Sequence, residues 1–262
     1  MPQVRTEEGR FLSPWQSRYG PGWRCVEITV LGIAGVAAST LAARLILALG
    51  GKEWVLFPAF FLGMLAADFL SGLAHWFADT WGTPDWPLLG KSLIRAFREH
   101  HVDPADITRH DFVETNGNSA LVTVPVLSAA LLVPLESAGG LFAAATVGVA
   151  CLALLFTNQI HLWAHLDRPP RLVALLQQAG LLLRREHHER HHRAPFDRHY
   201  CITTGWLNGI LGRVHFYRVL ERAITATTGA IPREDALQVA GPVVPRTSGE
   251  RGPRPEESSR RA

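Results

Sequence analysis

Two pairs of long apolar runs restrict what this chain can fold into. VEITVLGIAGVAASTLAARLILALG (26–50) and EWVLFPAFFLGMLAADFLSGLAHW (53–76) form the first pair. SALVTVPVLSAALLVPL (119–135) and GGLFAAATVGVACLALLFTNQIHLWAH (139–165) form the second. Crossing a bilayer core takes about 20 apolar residues in a helix. The third run is the weakest, with Pro125 inside it and Pro134 near its end. Helices buried in a soluble α protein keep a polar face, and these runs have little. The composition agrees: 47% of residues are hydrophobic and only 19% charged, against roughly 25% charged in soluble domains. The expected fold is all-α, a multi-span membrane protein with about four transmembrane helices.

Basic residues orient the spans. The first 24 residues hold four arginines, the 81–118 segment holds Lys91, Arg95, Arg98 and Arg109, and sixteen more arginines follow residue 165. The two short connections hold only Lys52. By the positive-inside rule both termini and the central loop are cytoplasmic, and the hairpin tips face out. The net charge of +3 then reflects topology and contact with anionic headgroups, with no need of nucleic acid. Arg44, late in the first run, can snorkel to the interface. Asp68, inside the second, is a functional candidate or a partner for Arg44. Cys25, Cys151 and Cys201 are far apart and suggest neither a disulfide framework nor a thiolate metal site. No cleavable signal peptide is expected at the N-terminus. Three regions follow: a cytoplasmic segment 1–22, a membrane domain 23–228, and a tail 229–262 whose Pro, Gly, Arg, Glu and Ser content predicts disorder. The Ala/Arg/Gly-rich, Lys-poor composition favours a bacterial inner membrane over the endoplasmic reticulum.

All twelve histidines fall between residues 75 and 215. They gather in HWFAD (75–79), REHHVDP (98–104), NQIHLWAH (158–165) and REHHERHH (185–192). His75/Asp79, His161/His165, His187/His191 and His188/His192 are each spaced i,i+4, which puts both side chains on one helix face. His100 and His101 are adjacent, so their rings diverge and can serve different ions. By the charge argument all four clusters lie at the cytoplasmic face, predicting a helical, His-rich cap there. Imidazole suits iron, zinc, copper or nickel. Nine imidazoles and one carboxylate exceed one ion and fit two. His110, His199 and His215 read instead as helix-end or surface residues.

FREHHVDPADITRHDFVETNG (97–117), TNQIHLWAH (157–165) and HHERHHRAPFDRHYCITTGWLN (187–208) resemble the lipid desaturase family over about residues 60–220. The resemblance implies 1,2-desaturation of the sn-1 O-alkyl chain of an ether phospholipid, giving the vinyl ether of a plasmalogen. It implies two iron ions (Fe2+/Fe3+), O2 as co-substrate, and an external electron donor of cytochrome b5 or ferredoxin type. Carried over residue by residue, the metal ligands are His75, Asp79, His100, His101, His161, His165, His188, His191 and His192, with His187 a further candidate. Wider membrane desaturases use HxxHH twice. His188–His192 matches that pattern, but Phe97 stands at the first position of the earlier motif, leaving Asp79 or His187 to supply the difference. Asn158 is placed to hold a metal-bound water, and Glu99 and Glu186 to orient rings. Arg98, Arg109, Arg185 and Arg193 are the candidates for the substrate headgroup.

Two rivals share parts of this pattern. A fatty acyl desaturase or hydroxylase would carry the same cluster, and a plastid branch of the family acts on acyl chains. The wording TRHDFVETNG (108–117) favours the ether-lipid branch. A membrane metal transporter would hold its ligands near mid-membrane on broken helices, whereas these lie at or beyond helix ends.

Overall fold

The computed structural model describes residues 21–83, 85–87 and 94–233, with the side chains of Arg95 and Glu99 excepted, and the backbone of one short antiparallel pair, Val4–Arg5 with Phe11–Leu12. Apart from that pair the secondary structure of the described residues is helical. Most of the expected N-terminal segment and residues 234–262 of the expected tail lie outside the described residues, as do Lys91 and the side chains of Arg95 and of Glu99, the latter expected to orient a ring.

Helix α1 (Pro21–Ala48) and helix α2 (Leu56–Thr80) form one apolar hairpin. The short helix α3 (Arg95–Val102) follows, then α4 (Phe112–Ala130) and α5 (Ala138–Leu155) form a second hairpin. Among the described residues three stretches, Pro21–Ala48, Glu53–Thr80 and Ala138–Leu155, are long and apolar enough to cross a membrane. At 1.5 Å per residue, α1 is about 42 Å long. Helix α2 packs on α5 and α1 on α4, around Ala34, Leu41, Leu127, Leu141 and Ala144. Large apolar side chains point outward elsewhere, among them Val36, Leu47, Phe57 and Phe60. An apolar exterior over an apolar core is what a lipid-facing bundle requires.

The second hairpin departs from the apolar pattern at both ends. Helix α4 begins seven residues before its apolar run, because Asp111 caps it by accepting from the Val113 and Glu114 amides at 2.9 and 3.1 Å. Its first turns therefore carry Glu114, Asn116 and Asn118. It ends at Ala130, ahead of Pro134. The run 139–165 is not one helix but two, broken at Phe156 (φ −96°, ψ 4°) before α6 (Thr157–His165). Thr157 bonds back to the Ala153 carbonyl at 2.9 Å and to the Thr203 hydroxyl at 2.8 Å, a pairing that bends a helix.

The short helices α7 (Arg171–Gln178), α8 (Arg185–His188), α9 (Asn208–Arg213) and α10 (Phe216–Thr228) complete the chain. Asp68 straps this part to α2. Its buried carboxylate accepts from the Thr204, Gly205 and Leu207 amides at 2.8, 2.8 and 3.0 Å. It does not pair with Arg44, whose guanidinium instead bonds the carbonyls of Leu131 and Val133 at the end of α4. Helix-end carbonyls lack intrahelical partners and attract a cation, while Asp68 faces orphan loop amides that only an acceptor can satisfy. The chain stays packed past residue 228: Arg233 donates from its amide to Thr80 and from its side chain to Asp79, both at carbonyls.

The hairpins depend on close approach at Gly63, where an added Cβ would lie 2.7 Å from Val149 Cβ and 2.8 Å from the Thr146 carbonyl. Gly63→Ala should destabilise the bundle by about 1–3 kcal/mol. Gly35→Ala, which meets nothing within 4 Å, should be neutral or gain up to about 1 kcal/mol. Thermal unfolding in detergent checks the pair, and equal midpoints would refute the α2–α5 contact.

Candidate metal centre

The last turns of α2, the adjacent pair on α3, the end of α6, and α8 with the turn after it meet at one end of the bundle. Two groups of ligand atoms result, each with all its atoms within 4.8 Å of one another. The first is His100, His161, His165, His188 and His192; the second is His75, Asp79, His101 and His191. The i,i+4 spacing places His75 with Asp79 and His161 with His165, one pair in each group. His100 and His101, adjacent in sequence, go to different groups, their rings 6.3 Å apart and nearly perpendicular.

In the first group the Nε2 of His188 lies 2.7 Å from that of His161 and 2.9 Å from those of His165 and His192. The Nε2 atoms of His161 and His165 are 3.2 Å apart. One ring nitrogen carries either one proton or one lone pair, so hydrogen bonds cannot satisfy three such neighbours at once. Lone pairs converging on a cation can: bonds of about 2.1 Å at right angles put nitrogens about 3 Å apart. In the second group Asp79 Oδ2 is 3.4 Å from His75 Nε2, 3.2 Å from His101 Nε2 and 3.4 Å from His191 Nε2. His101 and His191 present their Nε2 atoms 3.2 Å apart. Burial holds His100, His188 and His192 well below the usual imidazole range. Burial, helped by the nearby Arg185 charge, lowers His165 to about 4. Neutral imidazole is the form that binds metal. Each group therefore has the donors and the convergence to hold a metal ion. Cys25 is exposed and all three cysteines lie outside both groups.

Backbone carbonyls orient two of the rings from outside. His75 Nδ1 lies 3.1 Å from the Tyr200 carbonyl and His191 Nδ1 2.8 Å from that of Arg198. The fit of the other nitrogen to a metal is set by such contacts. Sequence reasoning missed both, since a carbonyl leaves no residue-type signal. The run PFDRHY (195–200), directly after the histidines, was the available hint. Phe97, at the place of a missing histidine, lies 4.8 Å from the His75 ring.

Other candidates are placed elsewhere. His187 lies outside both groups, its Nε2 2.8 Å from His199 Nδ1. Glu186 is exposed, and the Nδ1 atoms of His188 and His192 have no partner among the described residues. Asn158 donates to the Ser119 hydroxyl at 3.2 Å. Arg109 is paired with Asp103 at 2.7 Å and with Asp106. Arg185 is paired with Glu189 at 2.8 Å and with Asp167. Arg98 donates to the Gly82 carbonyl at 2.6 Å, and Arg193 is exposed.

Comparison with known proteins places this centre in a family. The lipid desaturase domain profile matches residues 64–235, which contain every residue of both groups. Plasmanylethanolamine desaturase of Myxococcus xanthus is 45% identical over 239 residues, 90% of this chain and 83% of that protein. Plasmanylethanolamine desaturase 1 of Mus musculus is 45% identical over 233 residues, 85% of this chain and 84% of its own length. Fatty acid desaturase 4, chloroplastic, of Arabidopsis thaliana is 36% identical over 178 residues, 66% of this chain and 53% of that protein. No solved structure matches the chain. A helical membrane bundle ending in two histidine-rich ligand groups, matched over most of its length by these desaturases, belongs to the lipid desaturase family.

Proposed function

We propose that the chain is a plasmanylethanolamine desaturase, placing the 1,2 double bond in the sn-1 O-alkyl chain of an ether phospholipid to form the vinyl ether of a plasmalogen. The observation that carries this reading is the pair of convergent ligand groups in a chain 45% identical to two desaturases of that name. His100, His161, His165, His188 and His192 hold one iron; His75, Asp79, His101 and His191 hold the other. The bound irons supply the O2-dependent oxidising power that removing hydrogen from an unactivated carbon demands, beyond the reach of any side chain.

The protein's own part is to position and to exclude water. The carbonyls of Tyr200 and Arg198 fix His75 and His191, and Asp68 holds the following loop against α2. Asp79, nearly buried, offsets part of the metal charge inside an apolar surrounding. The four helices α1, α2, α4 and α5 span the membrane, with both termini and the ligand-bearing cap on the cytoplasmic side, as the arginine distribution supports. Electrons come from a separate carrier of cytochrome b5 or ferredoxin type, and a bacterial inner membrane is the location.

Expression in cells fed a 1-O-alkyl phosphoethanolamine lipid tests the reaction. Wild-type chain should yield acid-labile vinyl-ether lipid, measured by mass spectrometry. Unsaturation appearing only in ester-linked chains would instead make it an acyl desaturase, the activity named for the Arabidopsis relative. His191→Ala should abolish the product while the protein still inserts in the membrane. His187→Ala should stay within about tenfold of wild type; complete loss there would return His187 to the ligand set.

A further inference from the structure

Arg98, Arg109 and Arg185 are engaged by neighbouring groups, so they are poorly placed to receive a headgroup. A different set of cations lines a cleft of about 460 Å³ between residues 197–199, α9 and the start of α10. Arg198, Arg213 and Arg218 face it with His199 and His215, against one carboxylate, Asp197. Three arginines less one aspartate leave two net positive charges. Asp197 is bound by Arg218 and, at 3.4 Å, by Arg198. Arg213 has no ion-pair partner among the described residues and is exposed.

The cleft stands where the lipid-facing surface of α2 ends. Outward apolar side chains run along α2 from Phe57 to Leu70, and from Ser71 the helix is largely buried under the cap. Phe216 lies 5.6 Å from Phe69 and Tyr217 5.8 Å from Trp76, which fixes the level of the cleft at that boundary. Ile210, Val214 and Val219, each more than half exposed, are sequence neighbours of its lining residues on α9, in the turn after it and on α10. Unpaired cationic charge beside exposed apolar surface, at the end of a spanning helix, suits a phospholipid headgroup. An acidic protein would not need the nearby exposed apolar side chains.

The cleft is also close to the metal groups. Tyr217, in its lining, lies 4.8 Å from the Tyr200 ring, which lies 5.2 Å from His191 and 5.8 Å from His75. Two ring-to-ring steps thus join the cleft lining to the second metal group.

We propose that this cleft binds the headgroup phosphate of a glycerophospholipid, that of the lipid being desaturated; the identity of that lipid rests on the function proposed above. Equilibrium binding of dihexanoyl phosphatidylethanolamine to the full-length, metal-loaded protein in detergent tests the site without turnover. Arg213→Gln should weaken binding about tenfold, the loss of one charge-assisted contact, and Arg213→Lys should restore most of it. In turnover the same loss should fall on KM for the alkyl lipid rather than on kcat, with KM for the electron donor unmoved. Unchanged lipid binding in Arg213→Gln would overturn the proposal. So would a rise confined to the donor KM, which marks a docking surface for an acidic protein. Inorganic phosphate binding as tightly as the short-chain lipid, through Arg213, would overturn the lipid assignment in favour of a free-phosphate site. Arg213-dependent lipid binding in a wild-type protein that forms no vinyl ether would uphold the headgroup site and refute the proposed reaction.

Discussion

Buried lone pairs converging without protons to share are the constraint around which this molecule is arranged. His188 alone presents one nitrogen to three others at 2.7–2.9 Å, and Asp79 one oxygen to three imidazoles. Such groups, taken out of water and left to one another, cost several kcal/mol. A cation at each point turns the same crowding into coordination. Much of the cap serves to hold that arrangement: Asp68 satisfies three loop amides, and the loop then offers its carbonyls to the outer nitrogens of His75 and His191. A carboxylate well inside an apolar helix thus acts on the metal groups at one remove.

The placement of the groups follows from the bundle. Helix α2 carries His75 and Asp79 in its last two turns, just past the stretch whose apolar side chains face outward. The break at Phe156 frees α6 from the line of α5 and brings His161 and His165 to the groups. Apolar substrate and polar redox chemistry thereby meet at one level, with the basic cleft of α9 and α10 two aromatic rings away.

Features set by local spacing could be read from the residues alone. The paired apolar runs mark the two hairpins, and i,i+4 spacing pairs His75 with Asp79 and His161 with His165. Adjacency also separates His100 from His101, because neighbouring side chains on a helix point about 100° apart. Features set by long-range backbone contacts could not be read in this way. The carbonyls of Arg198 and Tyr200, the three amides on Asp68, and the Thr157–Thr203 hydroxyl contact join residues 7 to 139 positions apart. Cap chemistry was legible but outweighed: Asp111 begins α4 before its apolar residues do. His187 shared the i,i+4 spacing of its neighbours, yet turns to His199. In a run of histidines, spacing alone cannot tell which ring faces inward.

The most direct test is the metal content and ligand shell of the purified, folded wild-type chain, by elemental mass spectrometry and X-ray absorption. Two groups of four and five donors predict two iron ions per chain, ligated only by nitrogen and oxygen. A single ion per chain, or sulfur in the shell, would contradict the account.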